Sequence, residues 1–142
     1  MADENPVTKT SADFFIEKLK DMVRSTPDSR MFLTLAEELR KRDEMEEAME
    51  VLKTGVGKNP TFVAARLTLG RWYLNGNKFA EARNEFLQAL ELAPGDKFAA
   101  RYLKEAEGKL GGLKSAKVVE RLNRFLDAVK KEFRNVRAGA CL

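Results

Sequence analysis

Apolar residues recur along this chain with the spacing of helices, and nowhere over a sustained stretch with the alternation of strands. Phe15, Leu19 and Met22 mark a first helix from Ser11 to about Arg24, with Ile16 and Val23 beside them and Ser11 as the expected cap. Four more helices are expected over roughly Ser29–Lys41, Met45–Val56, Phe62–Leu74 and Phe79–Leu92. Thr26-Pro27, Lys58-Asn59-Pro60, Asn75-Gly76-Asn77 and Pro94-Gly95-Asp96 punctuate them, and Asn75-Gly76-Asn77 supplies residues tolerant of positive φ. Asp96 is placed to cap a further helix reaching about Leu110, after which Gly111-Gly112 reads as an interruption. The last helix, Ser115 to Arg137, carries Val119, Leu122, Leu126, Val129, Phe133 and Val136 at spacings that alternate between three and four, widened by Val118 and Phe125. The expected fold class is all-α.

The second helix pair repeats the first at a fixed offset. Leu69-Gly70, Tyr73, Ala82, Phe86, Ala89 and Pro94 are matched by Leu35-Ala36, Leu39, Ala48, Leu52, Gly55 and Pro60, small for small and bulky for bulky. Small residues such as Gly70, Ala36, Ala48 and Ala82 let antiparallel helices approach closely, while Phe86, Leu52, Tyr73 and Leu39 fill the space between pairs. The pattern Leu-Gly-x-x-Tyr, then Ala-x-x-x-Phe-x-x-Ala, then Pro resembles the tetratricopeptide repeat, a helix-turn-helix unit of about 34 residues. The resemblance covers Ser29 to Asp96. The family's tryptophan slot holds Phe32 in the first copy and Arg66 in the second, where an apolar knob is expected; Trp72 lies on another face of its helix. Downstream the pattern fades, since Lys104 and Glu107 replace its glycine and tyrosine.

The resemblance implies an α-solenoid of stacked helix pairs in a single domain, 11–142, after a disordered tail, 1–10. Its parts are an N-terminal half-repeat (11–28), two repeats (29–62 and 63–96), a degenerate third-repeat helix (97–110) and an amphipathic C-terminal helix (113–137). Single repeats cannot bury their own apolar faces, so atypical ends are expected to shield the array. The half-repeat would cover one end. The C-terminal helix would cap the other, or form a self-association seam through Val119, Leu122, Leu126, Val129, Phe133 and Val136; a stripe wider than a dimer seam needs favours the cap.

Composition narrows function by exclusion. Histidine is absent, so the usual proton shuttle and commonest metal ligand is missing, and one cysteine, Cys141, cannot build a zinc or redox site or an internal disulfide. Gly55-Val56-Gly57-Lys58 superficially suggests a phosphate loop, but Leu52 and Asn59 stand where glycine and Ser/Thr are required. The cluster Glu44, Glu46, Glu47 and Glu50 reads as a solvated helix face offset by Arg40, Lys41 and Arg42. No enzyme chemistry, cofactor or metal is expected. The N-terminus is polar and acidic and no apolar run is long enough to span a bilayer, so a reduced cytoplasmic setting of bacterial type is expected.

What remains is binding. First helices of tetratricopeptide pairs line a groove, and mapping the family onto this sequence gives Arg30, Leu33, Glu37, Arg40 and Lys41, then Ala64, Leu67, Thr68, Arg71 and Asn75, then Phe98, Arg101, Tyr102 and Glu105. Such a surface suits a helix or extended peptide bearing both apolar and acidic side chains. The lysine and asparagines by which some relatives clamp a terminal carboxylate are replaced here by Leu33, Glu37 and Thr68. The expected function is a protein-interaction adaptor; the alternative is a homo-oligomeric module joined through the last helix. Charge adds a third reading: Met1 to Asp96 holds 14 basic and 17 acidic residues, Lys97 to Leu142 holds 12 and 5, so the basic last helix could meet nucleic acid or an anionic surface. Phe125 and Phe133 belong to its apolar stripe and do not interleave with the basic residues as base-stacking aromatics would.

Overall fold

The computed structural model describes residues 9–139, which form six helices and no strand. They are α1 (Ser11–Ser25), α2 (Met31–Lys41), α3 (Met45–Lys58), α4 (Val63–Asn75), α5 (Phe79–Leu92) and α6 (Lys97–Gly139). Each helix packs mainly on the next in sequence, giving two layers: α1, α3 and α5 in one, α2, α4 and the start of α6 in the other. Most of the tail expected over 1–10, and Cys141, lie outside the described residues.

The repeat register is written in the backbone. Asp43 and Asn77, one period apart, are the non-glycine residues with positive φ among those described, at 62° and 58°. Each turns the chain between the two helices of a pair, where a short polar side chain tolerates the left-handed region. Gly76 stays at φ −85°, so the expected Asn-Gly-Asn turn uses its asparagine. The same hydrogen bonds recur at the same offset: Glu44 N donates to Leu39 O at 3.1 Å and Lys78 N to Tyr73 O at 2.8 Å, while Asn59 N donates to Gly55 O and Ala93 N to Ala89 O, both at 2.9 Å.

Close approach within each pair rests on missing side chains. A Cβ on Gly70 would stand 2.5 Å from the Phe86 ring, and one on Gly55 would stand 2.1 Å from that of Phe32. Phe32, Phe86, Leu39 and Leu52 are the largest fully buried side chains. Gly55 and Gly57 thus lie inside the last turns of α3, with Gly55 acting as the seat for Phe32.

Arg66 departs from the family pattern with a compensation. Its side chain is only 12% exposed; Nη1 donates to Glu85 Oε2 at 3.0 Å and Nε to the Pro60 carbonyl at 2.8 Å. A shielded ion pair between α4 and α5 stands where an apolar knob was expected.

The ends of the array differ from expectation in three ways. Thr10, not Ser11, caps α1, because its hydroxyl accepts from Asp13 N at 3.3 Å while Asp13 Oδ2 accepts from Thr10 N at 2.7 Å, a reciprocal pair that Ser11 would not form. The buried face of α1 is Ile16 and Leu19 with Val23 against them, while Phe15 and Met22 face outward. Gly111-Gly112 does not interrupt the chain: α6 is one helix of 43 residues. Glycine in a helix costs about 1 kcal/mol relative to alanine, which neighbouring turns of strong helix formers can absorb.

Candidate partner-binding groove

The start of α6 closes the array. Asp96 Oδ1 accepts from the backbone of Phe98 at 2.8 Å and of Ala99 at 3.0 Å, fixing the first turn. Ala99 and Ala106 are buried, and Tyr102 stacks on Phe86 at 5.5 Å between ring centroids. The sealing role expected of the last helix is therefore carried by the segment before the glycines. From Leu113 onward the helix projects free of the repeats, and its stripe is open: Leu122, Phe125, Leu126 and Phe133 are exposed and Val129 half-buried. A straight helix continuing through Gly111-Gly112 cannot fold back to cover the array.

The groove-side residues mapped from the sequence fall on α2, α4 and the start of α6, which lie in one layer. Arginines bridge these helices by lying over aromatic rings of the next: Arg30 over Phe62 at 4.7 Å, Arg40 over Trp72 at 5.7 Å and Arg71 over Tyr102 at 5.8 Å. Arg101 closes the row, 5.0 Å from the Tyr102 ring and 5.8 Å from that of Phe98. A guanidinium over a ring face keeps its N–H groups at the rim available to a carboxylate. Among the described residues no salt bridge pairs Arg30, Arg40, Arg71 or Arg101. Trp72, on another face of its helix from the family's tryptophan slot, packs in the buried core that holds Ile16, Phe32 and Leu69, and Arg40 across its ring joins α2 to α4.

The remaining mapped positions divide. Leu33 and Leu67 are half-buried and pack against the core clusters, and the Thr68 hydroxyl donates to the Ala64 carbonyl at 3.0 Å, so these serve the helices themselves in part. Glu37, Asn75, Phe98 and Glu105 are exposed, Phe98 at 62%. Lys41 is exposed and paired to Glu38 at 2.6 Å, which raises its pKa by hydrogen bonding and charge.

The acidic cluster at the start of α3 finds its cation elsewhere than expected. Glu47 pairs with Lys20 of α1 at 2.6 Å, whereas Arg42 reaches back to Asp13. Lys20 and Asp13 of α1 thus take the place of the partners expected one turn away. Among the described residues no cluster of His, Cys, Asp or Glu could hold a metal ion, and no helix is long and apolar enough to cross a membrane.

Paired helices stacked in two layers define an α-solenoid, the architecture of protein-interaction scaffolds. The sequence profile of the tetratricopeptide repeat matches residues 39–106, and this stretch is a tetratricopeptide repeat region. Solved structures show the same fold. The first TPR domain of the human RPAP3 protein superposes with a TM-score of 0.61 at 18% identity, over 73% of this chain and 83% of that one. MamA MSR-1 C2 gives 0.57 at 24% identity over 74% of this chain, which spans 61% of it. A crystal structure of MamA gives 0.53 at 22%, over 75% and 71%. No curated protein sequence matches the chain.

Proposed function

We propose that the chain is an adaptor whose groove takes an acidic, apolar-anchored segment of another protein. Tetratricopeptide arrays are interaction scaffolds, and the family's typical members are not enzymes. One observation supports this choice of partner: Arg30, Arg40, Arg71 and Arg101 lie over the rings of Phe62, Trp72 and Tyr102, the last shared by Arg71 and Arg101. With Lys41 they face only Glu37 and Glu105 among the mapped groove positions. Carboxylates of the partner would meet the guanidinium rims, and its apolar side chains the exposed Phe98 and the half-buried Leu33 and Leu67 between them. Because stacked helices hold these groups in place, the partner bears most of the ordering cost.

The test is capture of partners from the native cell extract by wild type and by Arg71→Glu with Arg101→Glu. Tyr102 is left intact because its stack on Phe86 belongs to the core. A partner with an acidic segment, held by wild type and lost from the variant, supports the reading. Equal capture by both, or capture that tolerates neutralising the segment's carboxylates, refutes it.

A further inference from the structure

The free half of α6 has an ordered charge distribution that the groove does not use. At about 100° per residue the stripe of Val118, Leu122, Phe125, Leu126, Phe133 and Val136 occupies roughly a third of the circumference. Its two borders carry Lys114 and Arg121 on one side and Lys130, Arg134 and Arg137 on the other, against the single carboxylate Glu132. The far side is close to balanced: Lys117, Arg124 and Lys131 there meet Glu120 and Asp127, and Arg124 is paired with Glu120. Positive charge is thus gathered along both edges of an exposed apolar face whose Phe125 and Phe133 are 64% and 71% open.

From this arrangement we infer that the free half of α6 lies on an anionic lipid surface, apolar stripe down and basic borders at the headgroups. A helix in the interfacial plane buries an arc of this width, and lysine and arginine stems at its margins reach phosphates while their methylenes stay apolar. A second copy fits less well, because a two-helix seam brings the basic borders of both chains together with only Glu132 to offset them. Nucleic acid fits less well because it offers no apolar partner for the stripe. Binding is electrostatic and hydrophobic together, with no chain crossing the bilayer. The inference rests on α6 alone and stands whether or not the groove reading does.

The experiment is flotation of the full chain with vesicles of phosphatidylcholine alone or with phosphatidylglycerol added, at low and high salt. Wild type should float with the anionic vesicles at low salt, and high salt should release most of it. Arg121→Glu with Lys130→Glu should weaken that binding at least tenfold, as should Phe125→Ser with Phe133→Ser. Because these side chains lie outside the packed repeats, the variants should retain the thermal transition of the body. Equal flotation with neutral and anionic vesicles, or none with either, overturns the inference. So does a wild-type dimer in sedimentation that the Phe125/Phe133 variant abolishes while vesicles leave it undisturbed, or retention by DNA that the same variant leaves unchanged.

Discussion

Arg66 donates to Glu85 at 3.0 Å in a shielded site between α4 and α5, with both side chains less than a fifth exposed. Removing one partner leaves the other poorly solvated, and for this partly shielded pair Glu85→Ala should cost about 2–3 kcal/mol, less than a fully buried pair would. Replacing both, as Arg66→Phe with Glu85→Leu, should recover most of that loss by restoring the apolar contact found elsewhere in the family. Chemical denaturation of wild type, Arg66→Phe, Glu85→Leu and the double variant as a double-mutant cycle measures the coupling. Additivity would show that the pair is incidental.

Glycine-to-alanine changes should have opposite signs in different helices. Gly70→Ala places a methyl 2.5 Å from the Phe86 ring, which is fully buried and cannot withdraw, and should destabilise by about 1–3 kcal/mol despite alanine's better helix propensity. Phe86→Leu in the same chain should relieve part of the clash. Gly111→Ala and Gly112→Ala meet open space and should each stabilise α6 by up to about 1 kcal/mol, read as slower amide exchange through residues 108–116. Faster exchange there in the alanine variants would contradict an unbroken helix.

Acid should loosen the N-terminal end first. Hydrogen bonds from the backbone and side chain of Thr10, and then from Arg42, lower the pKa of Asp13 from 3.8 to about 2. A carboxylate whose folded pKa is depressed adds stability that is fully present above the unfolded value and fades as pH falls from about 4 through about 2. Asp13→Asn should therefore melt earlier than wild type near neutrality and converge with it at about pH 2. A constant gap across that window would show that Asp13 acts without its charge.

Trp72, the chain's single tryptophan, offers a label-free test of the proposed groove. Arg40 lies 5.7 Å from its ring, so a carboxylate that draws the guanidinium away should change the indole emission. Titration with an acidic amphipathic peptide should give a saturable change that weakens as salt rises and is lost in Arg40→Ala. An identical response in that variant would place the peptide elsewhere.

The repeat architecture was legible in the sequence because it depends on residue size at fixed spacing: Ala36, Ala48, Ala82 and Gly70 had to be small, and Phe86 and Leu52 large, for the helices to meet. Positions settled by partners distant in sequence were not. Nothing near Arg66 announces Glu85, nineteen residues on, as its counterion. Arg42 could not be assigned to Asp13 without knowing that α1 folds across the end of α2, and nothing in the spacing sets Arg40 over Trp72, thirty-two residues on. Gly111-Gly112 misled for a different reason. Glycine weakens a helix without ending it, and termination needs a competing turn or capping bond that this stretch does not supply. The mapped groove positions share one layer, but which of them touch a partner depends on chemistry the chain does not itself contain.

The unbroken passage of α6 from Tyr102 to Arg137 makes the protein a crank. Its base is clamped against Phe86, so the azimuth of Phe125 and Phe133 is locked to the packed repeats. Deleting one residue near Gly111 would shorten the arm by only about 1.5 Å yet swing its tip about 100° around its axis, so the two ends of the molecule are geared together by phase far more strictly than by length.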